Sequence, residues 1–309
     1  MTRVATFGNY QSALLNLMTA QTRAAEAQER ISTQKNATDL TGFGRQAETL
    51  TAMKGSQSRI QGFIDTGAAV TARLTTQDLA MGQVSDAISG AREALGNAIA
   101  TDSGGSLMLE LEGYFQAARG GLNMRHHGGY LFAGASTSTT PVEAANLSEL
   151  LAAPSVASLF SNDTLKTASR VAESTTLETG FLADELGTDI MSILRDIQEY
   201  HTTVGQGPLD GRLDETQKAF LSTQLIRLEE AGTAVIDKMA RTGSLANQVE
   251  NITKGHEAQK MALEELVSNR TDADMAKAIT DLQLSQVAIE ASAQMISQLR
   301  QVSLLNYLN

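Results

Sequence analysis

The feature that most constrains the fold is a long apolar stripe in residues 60–98, in which successive members lie three or four positions apart. This spacing keeps one face of an α-helix against a partner helix along its whole length. At 1.5 Å per residue the stripe extends for about 58 Å, which is too long for a helix inside a compact domain. Its members are Ile60, Phe63, Gly67, Val70, Leu74, Gln77, Met81, Val84, Ile88, Ala91, Leu95 and Ala98. Only Gln77 among them is strongly polar, so the stripe predicts a continuous helix–helix seam.

A second stripe of the same kind lies nearer the other end of the chain. Its members are Leu221, Leu225, Leu228, Gly232, Val235, Met239, Thr242, Ala246, Val249 and Ile252. Two long seams of this kind can bury each other, and three Pro residues in 309 leave long helices uninterrupted. We therefore predict a mainly α protein, an elongated antiparallel helical bundle or coiled coil formed by the N- and C-terminal arms.

The centre of the chain has a different pattern and predicts a small mixed α/β insert. The Gly-rich stretch around His126 and His127 ends the helical signal, and residues 130–134 are predicted to form a short strand. Residues 166–176 are predicted to form another strand, and helix resumes at about Glu185. The predicted domains are a terminal coiled-coil assembly domain (1–40 and 275–309), a helical rod domain (41–141 and 185–274) and the insert (142–184).

Polar residues 268–272 interrupt the second arm, and a new helix is expected to begin there. Thr271 with Asp274 is similar to a capping box, in which the side chain of the first residue accepts a hydrogen bond from the first helical turn.

The two ends of the chain carry very little charge. Residues 1–22 contain only Arg3, and residues 282–309 contain only Glu290 and Arg300. Apolar seams run through both ends, at Phe7, Tyr10, Leu14, Leu17, Gln21, Ala24 and Ile31 and at Ile279, Leu282, Gln286, Ile289, Ala293 and Ile296. The back helix has a second stripe at Leu284, Val287, Ala291, Met295, Leu299 and Val302. Two stripes on one helix predict neighbours on more than one side.

Ordering the last 28 residues costs about 30–55 kcal/mol in conformational entropy, whereas burying half of their large side chains returns only about 12 kcal/mol. We therefore expect both ends to be mobile in the free subunit and to fold when neighbouring subunits cover them. The predicted assembly interface consists of Leu14, Leu17, Ile31, Leu282, Ile289, Met295, Ile296, Leu299, Val302 and Leu305.

Composition argues against several functional classes. The net charge of −11 disfavours nucleic acid, because phosphate binding needs an excess of Lys and Arg. The absence of Cys excludes disulfides, thiolate nucleophiles and thiolate metal sites. No apolar run is long enough to span a membrane, and the first twenty residues lack the pattern of a cleaved secretory signal.

The short motifs favour structural roles over chemistry. The segment 42–47 formally matches a dinucleotide fingerprint, but a polar stretch precedes it instead of a buried strand, so a loop between helices is the better interpretation. His256 begins a zinc-protease pattern in which Lys260 replaces the second His, and we interpret His256 as a polar residue of the helical seam. His126 and His127 are interpreted as turn residues, and Asp272 as an acid near a helix start. The Met residues at seam positions, such as Met81 and Met239, are interpreted as packing. We predict no enzymatic activity, no metal and no cofactor.

The sequence resembles the flagellin family of bacterial axial proteins at both ends. The front is similar in Leu14-Leu15-Asn16 and in Gln28-Glu29-Arg30-Ile31-Ser32-Thr33, followed by Lys35 and Asp39. The back is similar in Ala273-Asp274-Met275-Ala276, in Arg241-Thr242-Gly243-Ser244 through Asn247-Gln248-Val249-Glu250, and in the closing Val302-Ser303-Leu304-Leu305-Asn306-Tyr307-Leu308. The resemblance covers about two thirds of the chain.

Within that family the centre resembles the hook-associated protein 3 group. Asn123, Gly129-Tyr130-Leu131-Phe132-Ala133-Gly134 and Thr139-Thr140-Pro141 carry this resemblance, and residues 64–68 depart from the segment that flagellins commonly have there. The resemblance implies a structural subunit of the bacterial flagellum that is secreted without a cleaved signal peptide by the flagellar type III apparatus and forms a lateral ring with its own copies between hook and filament. Hook-associated protein 1, flagellin and an export chaperone are the other implied partners, with no nucleic acid and no membrane.

Three alternatives remain at this point. The chain is also compatible with flagellin itself, the propagating filament subunit. A helical signalling coiled coil would need a membrane span or a receptor partner. An enzyme carried in the insert would need a catalytic group, and about forty residues bury a pocket poorly.

Overall fold

In the computed structural model, residues 2–305 are described, with side chains described for residues 8–300. The α-helices in this part of the chain are α1 (Thr2–Thr33), α2 (Ala47–Ala100), α3 (Leu107–Leu122), α4 (Leu147–Ala152), α5 (Ala183–Thr202), α6 (Glu215–Thr271) and α7 (Met275–Leu305). The strands are β1 (Arg125–His126), β2 (Gly129–Tyr130), β3 (Ala168–Ala172) and β4 (Thr175–Glu178). Short 3₁₀ turns occur at Thr41–Gln46 and Ala157–Leu159. The predicted mainly α fold with a small mixed insert is confirmed.

The chain forms two compact units. The core unit is Ile60–Ala258, and the terminal unit consists of the described residues before Ile60 and after Ala258. In the core unit α2 and α6 pack antiparallel, because Gly67 lies against Thr253 and Gly96 lies against Leu225. Most members of the two predicted stripes are buried, so the antiparallel pairing of the two long arms is confirmed.

The main core of this unit joins the two long helices to α3, α5 and the segment between them. Phe115, Phe132, Met81 and Leu150 are fully buried in it, and Met239 packs against it. Burial of these side chains holds the centre of the chain on the long helices. The packing role predicted for Met81 and Met239 is confirmed.

The stretch after α3 is a tight hairpin followed by three consecutive buried residues. The β1–β2 pair closes through His127 and Gly128, both of which have positive φ, so the predicted turn role of His127 is confirmed. The strand predicted at residues 130–134 ends at Tyr130, however. Leu131, Phe132 and Ala133 are consecutive and all buried, and a half-exposed strand would instead alternate between core and solvent.

The single strand predicted at residues 166–176 is also wrong, because the chain folds back on itself there. Strands β3 and β4 are antiparallel, with Ala168 opposite Glu178 and an irregularity in register between Arg170 and Ala172. Val171 of this hairpin is buried in a small second cluster with Val70, Leu74 and Val249 of the long helices. The apolar contact of Val171 therefore fixes the hairpin on the helix pair.

The terminal unit contains α1, α7, the start of α2 and the end of α6. The predicted break between two helices is confirmed, but it lies at residues 272–274 and not at 268–272, since α6 continues to Thr271 and α7 begins at Met275. The predicted cap is assigned to the wrong residue of the motif. Asp274, not Thr271, accepts a hydrogen bond from the backbone N–H of Lys277 at 3.0 Å, because Thr271 still belongs to α6.

Candidate functional site

Helices α1 and α7 pack on each other through small side chains. Ala13, Ala20 and Ala27 of α1 are buried, as are Ala278 and Ser285 of α7. Within each helix these residues recur every seven positions, the spacing that keeps a residue on the same side of a coiled coil. Because Ala and Ser are small, the two helix backbones approach closely and larger side chains lie beside the seam.

The structure therefore corrects the predicted seams of the terminal helices. Leu14, Ile279 and Gln286 were expected on the seam, but they are exposed, and the positions next to them are buried instead. Hydrophobicity favours Leu or Ile over Ala as a buried residue, whereas close helix packing favours the small side chain. The heptad spacing of Ala13, Ala20 and Ala27 was the signal that hydrophobicity alone missed.

The ten residues of the predicted assembly interface fall into three groups. Partly buried beside the seam are Leu17, Ile31, Leu282, Ile289, Ile296 and Leu299. Exposed are Leu14 and Met295. Val302 and Leu305 lie outside the residues whose side chains are described. Whether these residues contact other subunits stays a prediction.

The second stripe of α7 is largely exposed to solvent. Leu284 is 64% exposed, Val287 is 63% exposed and Met295 is 53% exposed, and Ala291 between them is also exposed. We call these four residues the outer stripe. Helix α1 has a similar group of exposed apolar side chains, which consists of Leu14, Leu15 and Met18. Apolar side chains on one face of a helix that no other described residue covers are typical of a surface that binds another protein.

A groove of about 750 Å³ lies between the two helices, and Leu284, Ala291 and Met295 of the outer stripe form part of its lining. Its lining combines small and apolar residues, such as Ala20 and Ala288, with polar residues including Arg23. At the end nearer the helix break, Arg30 forms an ion pair with Asp281 at 3.4 Å. The groove is open and mixed in polarity, which suits side chains of a neighbouring protein better than an enclosed small molecule.

The two helix breaks of the terminal unit are joined by backbone hydrogen bonds. The N–H of Asn36 donates to the carbonyl of Thr271 at 2.7 Å, and the N–H of Ala273 donates to the carbonyl of Gln34 at 2.9 Å. We call the paired segments 34–36 and 271–273 the clasp. Because both breaks are tied together, α1 and α7 begin their pairing from one fixed point.

A charged pair reinforces the clasp. Lys35 forms an ion pair with Asp272, which also accepts a hydrogen bond from the hydroxyl of Ser268. The hydrogen bond from Lys35 is the main cause that lowers the pKa of Asp272 below its ordinary value, and the bond from Ser268 adds to it. Both partners are nearly half exposed, so solvent screens the attraction and the pair contributes little to stability.

The short motifs that were considered as chemical sites lie in a turn or take part in packing. Residues 42–46 lie in the 3₁₀ turn between α1 and α2, and Ala47 begins α2, which confirms the interpretation as a connection between helices. His256 stacks on Phe63 with ring centres 5.4 Å apart, and its Nε2 lies 3.0 Å from the carbonyl oxygen of Val171. No group of three or more His, Asp or Glu side chains suited to a metal ion occurs among the residues that the structure describes. Within the same residues, no helix combines the length and apolarity needed to cross a membrane.

One family model matches the C-terminal part of the chain. Residues 225–308 match the model of the bacterial flagellin C-terminal helical region. This segment is therefore similar to the C-terminal helical region of bacterial flagellins. The matched segment contains most of α6 and all of α7, including the outer stripe. No curated protein matches the sequence.

Solved structures share the fold of this chain. A protein from Vibrio parahaemolyticus, described as a candidate flagellar hook-associated protein, is 16% identical, with a TM-score of 0.62 over 75% of this chain and 100% of that one. FlgL from Bacillus cereus is 14% identical, with a TM-score of 0.54 over 71% of this chain and 98% of the other. FlgL from Xanthomonas campestris is 13% identical, with a TM-score of 0.55 over 69% and 98%. At these identities the likeness concerns the fold.

Proposed function

We propose that this protein is a structural subunit of the bacterial flagellum that joins the hook to the filament, similar to hook-associated protein 3. The match of residues 225–308 to the flagellin C-terminal region and the fold shared with two FlgL proteins and a candidate hook-associated protein support this proposal. The observation that carries it is the outer stripe on α7, which is apolar and exposed in the single chain. A subunit whose terminal helices associate with other subunits needs such a surface.

The outer stripe is large enough to contribute to assembly. Leu284, Val287 and Met295 are each more than half exposed. Fully burying a side chain of this kind stabilises by about 1.5–3 kcal/mol, so covering the exposed half of each returns about 1 kcal/mol per residue. Repeated around a ring of subunits, these increments would favour assembly over the free monomer. The expected coupling between assembly and the folding of both ends belongs to the same proposal.

The proposed role specifies partners and location. Copies of the same chain would contact one another laterally, with hook-associated protein 1 on the hook side and flagellin on the filament side. An export chaperone would bind α7 before secretion without a cleaved signal peptide. In this proposal residues 1–40 and 275–309 form the assembly domain, 41–141 and 185–274 form the rod, and 142–184 form the insert. No catalytic step is required of any residue.

Charge placed on the outer stripe tests the proposal. The double variant Leu284→Glu/Val287→Glu should leave the helix content of the purified monomer unchanged, because both side chains are already exposed. In cells that lack the native protein, we expect it to be exported but not retained between hook and filament. The measurement is the amount that co-purifies with isolated hook–basal bodies, together with swimming.

The matched control is Met261→Glu, which places the same charge on an exposed apolar residue of α6 in the same unit. This variant should be retained normally. Normal retention of the double variant would refute the assignment of the outer stripe to assembly.

Flagellin itself is the second candidate, because the matched family model describes the flagellin C-terminal region. A filament subunit adds to other copies of itself without limit, whereas a junction subunit assembles only into a single ring. Purified protein should therefore form no long filaments when seeded with filament fragments. Filament growth seen by electron microscopy would favour flagellin.

A further inference from the structure

A basic pocket lies at the end of α3, far along the chain from the terminal helices. It has a volume of about 390 Å³, and α3, the β1–β2 hairpin and the segment before Pro141 contribute to its lining. The side chains that line it are those of Gln116, Arg119, Asn123, Arg125, Tyr130 and Thr140. All of them belong to the core unit, and the proposed junction function uses none of them.

Arg125 is held in one orientation by the hairpin. Strand pairing places it opposite Tyr130, its guanidinium carbon lies 4.2 Å from the centre of the tyrosine ring, and its Nη2 donates to the phenol oxygen at 2.7 Å. The hydroxyl of Thr140 lies 2.9 Å from the same oxygen. A stacked and hydrogen-bonded guanidinium is preorganised for binding, because its rotamer entropy has already been lost.

Arg119 contributes a second positive charge to the same pocket. Its Nε is buried, and no described residue provides it with a hydrogen-bond partner. Both arginines act on Tyr130, whose pKa is lowered chiefly by its hydrogen bonds to Thr140 and Arg125 and further by the charges of Arg125 and Arg119. Both guanidinium-bearing side chains line the same pocket, so they present two positive charges to one space.

The described part of the chain supplies no carboxylate that pairs with either arginine, although acidic residues outnumber basic ones by 35 to 24. By contrast, Arg92, Arg227 and Arg241 each have an acidic partner within 4 Å. Glu112 on α3 is occupied by other groups, since its oxygens accept hydrogen bonds from Gln116 and from the backbone N–H of Leu147.

The side-chain amide of Asn123 is likewise occupied, because it bonds both the N–H and the carbonyl of Val142 at 2.9 Å. The pocket therefore offers cationic donors without a counter-charge. We propose that it binds an oxyanion, a carboxylate or a phosphate, between the guanidinium groups of Arg119 and Arg125. Paired guanidinium groups are well suited to such ligands, because each can donate two parallel hydrogen bonds to two oxygens.

The oxyanion can come from solution or from an acidic side chain of a second copy of this chain. The first arm of the test is calorimetric titration of the purified full chain with citrate and with inorganic phosphate at constant ionic strength. Arg119→Gln and Arg125→Gln should each weaken binding at least tenfold. Arg92→Gln removes an exposed arginine outside the pocket and should bind as the wild type does. Circular dichroism establishes that each variant is folded, and Arg119→Lys, which keeps the charge, should retain part of the affinity.

The second arm measures self-association of the same variants by light scattering. Anion binding that is lost in both pocket variants identifies an oxyanion from solution. If the wild type binds neither anion, loss of self-association in both pocket variants but not in Arg92→Gln identifies a carboxylate of a second copy. If neither measurement separates the pocket variants from Arg92→Gln, the proposal is wrong.

Discussion

Gln77 is a buried polar residue in the middle of the α2 seam, and its replacement by an apolar residue should stabilise the protein. The side chain is fully buried, and neither its amide nitrogen nor its amide oxygen has a hydrogen-bond partner among the described residues. Leu74 and Met81, one turn away on each side, are also buried. A polar residue in an apolar seam lowers stability while it restricts the register in which the helices pair. The perturbation that tests this is Gln77→Met, which nearly conserves side-chain volume.

The magnitude follows from the desolvation of the amide. A buried polar group without a partner costs about 1–3 kcal/mol. Because Met fills nearly the same space, the substitution adds little cavity or strain energy. We therefore expect the free energy of unfolding to rise by about 1–3 kcal/mol. For a unit of about 200 residues, this corresponds to a rise in melting temperature of about 2–12 °C.

The assay is urea unfolding followed by circular dichroism, with the wild type and the variant measured side by side. The midpoint should move to higher urea with the same slope, because the surface exposed on unfolding is unchanged. Gln248→Met is the matched control, since Gln248 lies exposed on α6. Its effect should stay within about 0.5 kcal/mol.

A decrease in stability for Gln77→Met would refute the reasoning, because it would mean that the amide makes hydrogen bonds in solution that Met cannot replace. An equal rise in the free energy of unfolding of Gln248→Met would also refute the role of the buried amide. Stabilisation would then come from the general preference of Met for helices and not from the buried site.

Two further predictions concern packing and pH. Gly67→Ala should destabilise the protein by about 1–3 kcal/mol in urea unfolding, because the added Cβ would overlap with Oγ1 of Thr253. In the control Gly62→Ala the added Cβ meets nothing within 4 Å, so this variant should be stabilised by about 0.5–1 kcal/mol. A Gly67→Ala variant more stable than Gly62→Ala would contradict the close approach of α2 and α6 at Gly67. Since the pKa of Asp272 is lowered in the folded state, its pairing with Lys35 stabilises the clasp above the ordinary value of 3.8 and is lost as pH falls through the lowered value, an effect below about 1 kcal/mol at this exposed site. The protection factors of the clasp amides, which correct for the pH dependence of intrinsic exchange, should therefore fall on acidification in the wild type, and a similar fall in Asp272→Asn would show that another group is responsible.

The sequence predicted the long helices well because helix formation depends on residues three and four positions apart. The stripes through Leu74 and Leu228 repeat over many turns, and no local turn signal competes with them. The helix break near residue 270 and the charge-poor ends were visible for the same reason, since both depend on neighbouring residues along the chain.

Other features depended on contacts between residues far apart in the chain. The closeness of α1 and α7 selected Ala13 over Leu14 for the seam, because backbone distance decides which side chain fits and periodicity does not encode that distance. Residues 168–178 fold into a hairpin because Val171 is buried against apolar side chains of the long helices. The pocket of Arg119 and Arg125 forms only when α3 and the β1–β2 hairpin meet. The sequence alone therefore determined the long helices and the charge-poor ends, and tertiary packing decided which faces of those helices remain exposed.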